Sequence, residues 1–129
     1  MSSNCRIKHD FRNLDVWKLA RDFRQELKKL CDNLPKDEKY RLADQLIRAS
    51  RSITANLAEG HGRYHFQENI QFCRLARGSL FECLDHLTVC LENGYIDDKM
   101  FVDLETSIYS ILKKLNGYIK YLRDKKNEK

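Results

Sequence analysis

The acidic and histidine side chains that come closest to a metal-binding pattern lie between residues 59 and 86. A di-metal site inside a helical bundle requires a Glu on each of two helices and a Glu-x-x-His motif on each of the other two. No Glu-x-x-His occurs in the sequence, and the nearest grouping is Glu82, Asp85 and His86 with one further carboxylate, Glu59. We therefore predict no metal centre and interpret these side chains as solvated polar groups on a helix surface.

The cysteine and histidine spacings also argue against a metal or redox site. The five cysteines include no Cys-x-x-Cys pair, and their odd number does not suit a disulfide framework. Cys73, Cys83 and Cys90 fall on or beside an apolar pattern of helical period, which predicts that they pack in the core. His61 and His65 are four residues apart, but Gly62 lies between them and interrupts the helix that would align them. We expect no metal and no cofactor.

No pattern for nucleophilic catalysis or nucleotide binding is present either. Ser50, Ser52 and Ser79 lie within long helical patterns, and no Gly-x-Ser-x-Gly turn exposes a serine oxygen. The phosphate-binding pattern Gly-x-x-x-x-Gly-Lys-Ser/Thr is also missing. An anion could bind at the helix N-terminus that follows Arg63, although a tight helix–helix turn is the simpler interpretation. We therefore expect a protein without enzymatic activity.

Basic side chains form the first pattern with a chemical meaning. The sequence carries 24 Lys and Arg against 19 Asp and Glu, a formal net charge of +5. On the first two predicted helices, basic residues recur along one row each, and such rows can follow a nucleic-acid backbone. The alternative is an ordinary solubilising surface. The candidate nucleic-acid contacts are Lys18, Arg21 and Lys28 on the first helix, Arg41, Arg48 and Arg51 on the second, and Arg63 in the turn that follows.

A second pattern consists of aromatic residues that do not fit the apolar stripes. Trp17, Phe81 and Tyr109 fall outside the main stripes of their helices, and Phe72 lies at the edge of one. Exposed aromatic side chains in this number favour a second buried surface, most simply an interface between subunits. Stacking on nucleic-acid bases is the alternative, but these rings do not alternate with the basic rows. We predict a subunit interface at these four residues.

The length and composition define the framework that must position these side chains. With 129 residues, of which 42% are hydrophobic and 33% charged, the sequence predicts one folded domain. One proline and five glycines are too few turn residues for a β-rich chain, so long helices are expected. No apolar run approaches the ~20 residues of a membrane-spanning helix, and the polar first residues do not resemble a signal peptide. We expect a cytoplasmic protein with no membrane partner.

Apolar residues repeat at steps of three and four along four segments, which predicts four α-helices. Pro35 ends the first, Asp37 is expected to cap the second, and Gly94 ends the third. Because the connections are short, sequential helices must be antiparallel neighbours. The sequence predicts an all-α, up-and-down four-helix bundle as a single domain over 1–129, with a basic leader at 1–14. The predicted helices cover residues of about 15–33, 37–60, 66–93 and 97–125.

Four stretches of the sequence go beyond a generic helical pattern. Residues 48–63, which contain the motif Ala-Asn-Leu-Ala-Glu-Gly, and residues 75–82 resemble the bacterial family called four helix bundle proteins, also known as 23S rRNA intervening-sequence proteins. Residues 11–17 and the segment Asn-Gly-Tyr-Ile at 93–96 are similar to that family as well. Small residues in the first two stretches would let the second and third helices approach closely. They are Ala49, Ala55, Ala58, Gly78 and Ser79.

The resemblance implies a bundle that assembles as a homopentamer, often encoded within an insertion in a large-subunit rRNA gene, with no established biochemical activity. The family is similar in fold to the accessory protein of diversity-generating retroelements, a basic pentamer that partners a reverse transcriptase and nucleic acid. That accessory group carries a tryptophan late in the fourth helix, whereas the tryptophan of this sequence is Trp17.

Together these patterns favour a non-enzymatic, oligomeric, basic protein that binds RNA or DNA. A weak basic surface gains affinity when several copies present it to one polyanion. The alternative is a scaffold or accessory subunit that docks onto a protein partner, such as the reverse transcriptase of a retroelement.

Overall fold

A computed structural model describes residues 10–128 of the chain. Within that range the architecture is all-α, with four long helices and no strand. Each helix packs against two neighbours, whereas the two diagonal pairs have no Cα atoms within 8 Å of each other. The predicted all-α four-helix architecture is confirmed. The helices are α1 (Asp15–Asp32), α2 (Leu42–His61), α3 (Phe66–Glu92) and α4 (Asp98–Lys126).

One continuous core runs along the axis of the bundle. Each helix contributes apolar side chains from the stripe that faces its two neighbours, and each fully buried Leu or Ile stabilises the fold by about 1.5–3 kcal/mol. No helix in residues 10–128 is both long and apolar enough to cross a membrane. The largest fully buried side chains include Phe23 and Leu27 of α1, Leu46 and Ile53 of α2, Leu80 and Leu87 of α3, and Ile108 and Leu115 of α4.

The start of α2 differs from the prediction. The chain forms a short 3₁₀ helix at Lys36–Glu38 after Pro35, and α2 begins only at Leu42, so the expected cap at Asp37 is wrong. The Glu38 carboxylate accepts a hydrogen bond of 2.7 Å from the Tyr95 hydroxyl of the α3–α4 connection. This bond holds the 3₁₀ segment against the α3–α4 connection at the same end of the bundle, and α2 starts at Leu42 and not at the expected residue 37. The other ends of the helices lie within one residue of the predicted positions.

The start of α1 is fixed by a second 3₁₀ helix, Phe11–Asn13. The Asp10 carboxylate accepts hydrogen bonds of 2.8 Å from the backbone N–H and the guanidinium of Arg12, and these bonds lower the pKa of Asp10 to about 2. The Phe11 ring meets the edge of the Trp17 ring, with centroids 5.3 Å apart. The predicted leader at 1–14 therefore includes an ordered cap, and its residues 1–9 lie outside the described residues.

The α2–α3 interface is the place where two helices approach most closely. A Cβ added to Gly60 would lie 2.6 Å from Asn69 Oδ1 and 2.9 Å from Phe72 Cβ, so a glycine is required there. Further along the interface, the Ser79 hydroxyl donates a hydrogen bond of 2.9 Å to Ser52 Oγ. A Cβ added to Gly78 would meet no other helix within 4 Å. The predicted role of Gly78 in this close approach is therefore wrong.

The α1–α4 interface is more open. Three clefts lie along it, with volumes of about 640, 260 and 450 Å³ from the start of α1 to its end. Leu14, Leu19 and Gly117 line the largest of them. No side-chain hydrogen bond links α1 to α4 within residues 10–128, and apolar side chains of both helices belong to the shared core.

Candidate nucleic-acid interface

Charge is divided between the two ends of the bundle. Residues 10–24, 51–78 and 113–128 form one end, the basic half, which carries fourteen Lys and Arg against seven Asp and Glu. Residues 25–50 and 79–112 form the acidic half, with seven basic against twelve acidic side chains. The basic half therefore has a formal charge of +7 and the acidic half −5.

The antiparallel order of the helices creates this division. The basic half joins the start of α1, the end of α2, the start of α3 and the end of α4. The Lys126 ammonium, for example, donates a hydrogen bond of 2.8 Å to Gln67, which is 59 residues away in the chain. The buried Asn69 side chain donates one of 3.1 Å to the Tyr118 hydroxyl and ties α3 to α4 at the same end. Segments of the basic half that are distant in the sequence thus lie close together.

The structure divides the seven predicted contact residues into two groups. Lys18, Arg21, Arg51 and Arg63 lie in the basic half, whereas the remaining three lie in the acidic half. All seven are exposed except Arg21, which is half-buried. The structure therefore does not bring the two predicted rows together as one surface. The three residues of the acidic half are Lys28, Arg41 and Arg48.

Ion pairs neutralise several of these basic side chains. Lys28 binds Asp32 at 2.8 Å, and Arg63 binds Glu59 at 2.7 Å. The other two ion-paired residues, Arg21 and Arg48, contact Asp22 and Asp44 at 3.1 and 3.7 Å. Among the described residues, no carboxylate lies within ion-pairing distance of Lys18, Arg41 or Arg51. These three charges are therefore the least compensated of the predicted set.

A cleft between α1 and α2 brings an uncompensated arginine next to a second one. The cleft has a volume of about 500 Å³ and lies on the basic half, with Arg24 on one wall and Arg51 on the other. Arg24 Nη1 donates a hydrogen bond of 2.8 Å across it to Thr54 Oγ1. The sequence analysis missed Arg24, although its position seven residues after Trp17 places both on one helix face. We call this the Arg24–Arg51 cleft, and its lining residues are Phe11, Trp17, Arg24, Arg51, Thr54, Ala55 and Ala58.

The aromatic residues do not form one exposed set. Trp17 is only 9% exposed and belongs to the core cluster, so its prediction as an exposed interface residue is wrong. Trp17 lies beside the apolar stripe of α1 and is covered by two other side chains. The Phe11 ring meets its edge, and the Arg21 guanidinium lies 5.5 Å from the indole centroid. Phe81 and Tyr109 are 43% and 49% exposed, and their rings meet edge-on across α3 and α4.

Phe72, the fourth predicted interface residue, is half-buried at the α2–α3 turn. The Arg63 guanidinium lies 4.8 Å from the centroid of its ring. Phe72 therefore contributes to the packing of this turn, and the interface prediction retains Phe81 and Tyr109 as its exposed residues.

The described cysteines are packing residues. Cys73, Cys83 and Cys90 are fully buried, as predicted, and burial raises the pKa of the Cys73 and Cys83 thiols to about 12. A thiol with so high a pKa carries almost no thiolate at neutral pH, so it is a poor nucleophile. Within residues 10–128, no group of three or more His, Cys, Asp and Glu side chains is arranged to hold a metal ion.

The fold and the charge arrangement define a four-helix bundle with one basic end. The sequence model of a family described as 23S rRNA-intervening sequence protein matches residues 12–117. The chain therefore belongs to the 23S rRNA intervening-sequence protein family.

A solved structure has a similar fold. The chain is similar to the crystal structure of a protein with unknown function from the S23 ribosomal protein family of Bacteroides thetaiotaomicron. The TM-score is 0.75 at 22% identity, over 81% of this chain and 95% of that one, and this likeness supports the fold alone. No curated protein matches the chain.

Proposed function

We propose that the protein is a non-enzymatic, cytoplasmic nucleic-acid-binding protein that acts as a homo-oligomer and contacts RNA through its basic half. The observation that carries this proposal is the division of charge, +7 on the basic half against −5 on the acidic half. A polyanion is attracted to one end of such a molecule and repelled by the other. RNA is the first choice over DNA because the family is named after an insertion in 23S rRNA.

The binding is electrostatic and therefore depends on salt. Each Lys or Arg that neutralises a phosphate releases a counterion, and log Kobs falls with log salt by about 0.7 per contact on single strands. One basic half with few uncompensated side chains binds weakly at physiological salt. Several copies that present this half to one RNA bind more tightly, because the second contact becomes intramolecular.

Assembly supplies those copies. A homopentamer is our proposal for the assembly, as the family resemblance implies, and Phe81 and Tyr109 are the exposed aromatic residues that we assign to its interface. Their mutual edge-on contact at 6.5 Å presents an apolar patch on α3 and α4. Aromatic residues that lose their solvent exposure contribute strongly to subunit interfaces. A change of Phe81 and Tyr109 to serine should therefore yield smaller species by light scattering.

The test compares two triple variants with the same change of net charge. K113Q/K114Q/K120Q removes three charges from the basic half, and K28Q/K36Q/K39Q removes three from the acidic half. Both sets consist of exposed lysines, and each includes one i,i+4 ion pair, Lys120–Asp124 or Lys28–Asp32. We expect fluorescence anisotropy with a labelled single-stranded RNA to give a loss of about tenfold or more for the first variant and a much smaller loss for the second.

Two outcomes would contradict the proposal. The first is no RNA binding by the assembled wild-type protein at low salt. The second is an equal loss in the two triple variants, which would mean that only the net charge matters. Binding to a purified protein that survives high salt and nuclease would instead favour the alternative of a scaffold or accessory subunit, including one that docks onto a reverse transcriptase.

A further inference from the structure

We propose that the Arg24–Arg51 cleft is a binding site for a single phosphate group, held between the two guanidinium groups. This inference rests on the proposed RNA binding in one respect: we take the phosphate to be part of an RNA backbone. The site itself is a local arrangement of α1 and α2. Inorganic phosphate can therefore test it without any nucleic acid.

The polar groups of the cleft suit an anion. Its lining contains two guanidinium groups and one hydroxyl, and no carboxylate. Arg24 Nη1 donates to Thr54 Oγ1 at 2.8 Å, and the Thr54 hydroxyl donates to the Arg51 carbonyl oxygen at 3.1 Å. This chain of bonds fixes the Arg24 guanidinium across the cleft while four of its five N–H groups stay available. Arg51 lines the cleft and makes no ion pair within the described part of the chain, so no carboxylate competes for its guanidinium.

The apolar walls strengthen the attraction. Phe11 and Trp17 line one side of the cleft, and Ala55 and Ala58 line the other. Apolar walls lower the local dielectric constant, so a charge between them interacts more strongly with a guanidinium than it does in water. The two alanines also leave room for a backbone phosphate with its sugars, which longer side chains on α2 would exclude.

A phosphate matches this cleft better than a carboxylate does. A guanidinium forms two parallel N–H···O bonds with a phosphate, and a tetrahedral phosphate offers oxygens in two directions at once. Guanidinium groups on opposite walls can therefore bind different oxygens of one phosphate. Arg21 lies outside the lining, over the Trp17 ring, and its charge is already compensated by Asp22.

The first experiment uses inorganic phosphate and the fluorescence of Trp17. Trp17 is the one tryptophan in the sequence and lines the cleft, so its emission reports on occupancy. We expect a saturable change on titration with phosphate and none with chloride at the same ionic strength. R51Q should weaken the apparent phosphate affinity by about tenfold or more, because it removes a charge-assisted, bidentate contact.

R74Q is the matched control. Arg74 is an exposed arginine of the basic half with no ion pair in the described residues, but it lies on α3, away from the cleft. R74Q removes the same charge and should leave the phosphate titration unchanged. R24K supplies a second variant that keeps the charge but loses the planar fork, and we expect a partial loss of affinity. Circular dichroism verifies that each variant folds.

The second experiment separates this proposal from the proposed function. With a single-stranded RNA oligonucleotide, R51Q should reduce the slope of log Kobs against log salt by about 0.7 more than R74Q does. RNA binding with equal effects of R51Q and R74Q, and no response of Trp17 to phosphate, would overturn the cleft and leave the proposed function intact. A phosphate response that R51Q removes, without any RNA binding, would support the cleft and overturn the proposed function.

Discussion

The α2–α3 and α1–α4 interfaces solve the same packing problem in different ways. At α2–α3, a glycine lets the backbones meet, and a serine pair bonds across the interface at 2.9 Å. At α1–α4, clefts of up to about 640 Å³ remain and no side-chain hydrogen bond crosses within residues 10–128. The family-like motifs at 48–63 and 75–82 both lie on α2 and α3. The two longest family-like stretches therefore coincide with the interface where close approach restricts the residue type, whereas apolar periodicity accounts for most of the open α1–α4 contact.

The largest effect is expected at Gly60, where the α2–α3 interface leaves no space. In Gly60→Ala, the new methyl group would lie 2.6 Å from Asn69 Oδ1 and 2.9 Å from Phe72 Cβ. The helices must move apart, and overpacking of this kind costs about 1–3 kcal/mol of unfolding free energy. Chemical denaturation monitored by circular dichroism measures the change.

Gly78→Ala is the control for Gly60→Ala, because Gly78 also lies within a helix but has open space around it. Alanine there should raise the free energy of unfolding by about 0.5–1 kcal/mol through helix propensity. Equal effects at both positions would show that the α2–α3 interface is not as close as described.

A smaller loss is expected from Ser79→Ala, which removes the hydrogen bond to Ser52 across the same interface. Ser52 keeps the bond that it accepts from Asn56 Nδ2 at 3.0 Å, so no buried acceptor is left without a partner. We expect a loss of about 0.5–1.5 kcal/mol of unfolding free energy. Thr106→Ala is the control, since the exposed Thr106 hydroxyl bonds only within α4, and a loss as large for Thr106→Ala would argue against a special role of the serine pair.

The open α1–α4 interface predicts a change of opposite sign. Gly117 lines the largest cleft, and a Cβ added to it would meet no other helix within 4 Å. Gly117→Ala should therefore stabilise the protein by about 0.5–1 kcal/mol, because alanine restricts the unfolded chain and favours the helix. A destabilised Gly117→Ala variant, measured by the same denaturation experiment, would mean that this interface closes more tightly than the structure shows.

The smallest effect is expected at the entrance to α1. Hydrogen bonds from Arg12 lower the pKa of Asp10 to about 2, below the usual value of an unfolded aspartate near 3.9. The cap therefore contributes its full stability above pH ~4 and loses it as the pH falls toward ~2. Because Phe11 contacts Trp17, tryptophan emission should change across this range. The change should be weaker in Asp10→Asn, and an identical profile in both proteins would exclude Asp10 as its source.

The helices were predictable because their boundaries depend on local signals. Gly94 has a φ of +75°, the conformation that ends α3 as the sequence suggested. The start of α2 was not predictable, because the bond from Tyr95 to Glu38 joins residues 57 positions apart. Trp17 was misassigned for a related reason. A helix in a bundle also buries residues on either side of its apolar stripe. Phe11, which covers Trp17, precedes the helix and so does not appear in its apolar repeat.

The basic half was predictable in principle. A count of charge over whole helices does not reveal the basic half, because every helix runs from one end of the bundle to the other and its charges are divided between both ends. Counting by half-helix over residues 10–128, once an up-and-down bundle is accepted, gives +7 and −5. The Arg24–Arg51 cleft was not predictable, since it depends on which faces of α1 and α2 meet.

The division of charge gives the bundle an electric dipole along its axis. In the field of a polyanion this dipole experiences a torque that turns the basic half forward before contact. In the homopentamer that we propose, the components of these dipoles along the ring axis would all point the same way and repel one another. Salt screens that repulsion within a Debye length of about 10 Å at 0.1 M. In that proposed assembly, added salt should therefore favour closure of the ring and weaken the proposed binding of RNA.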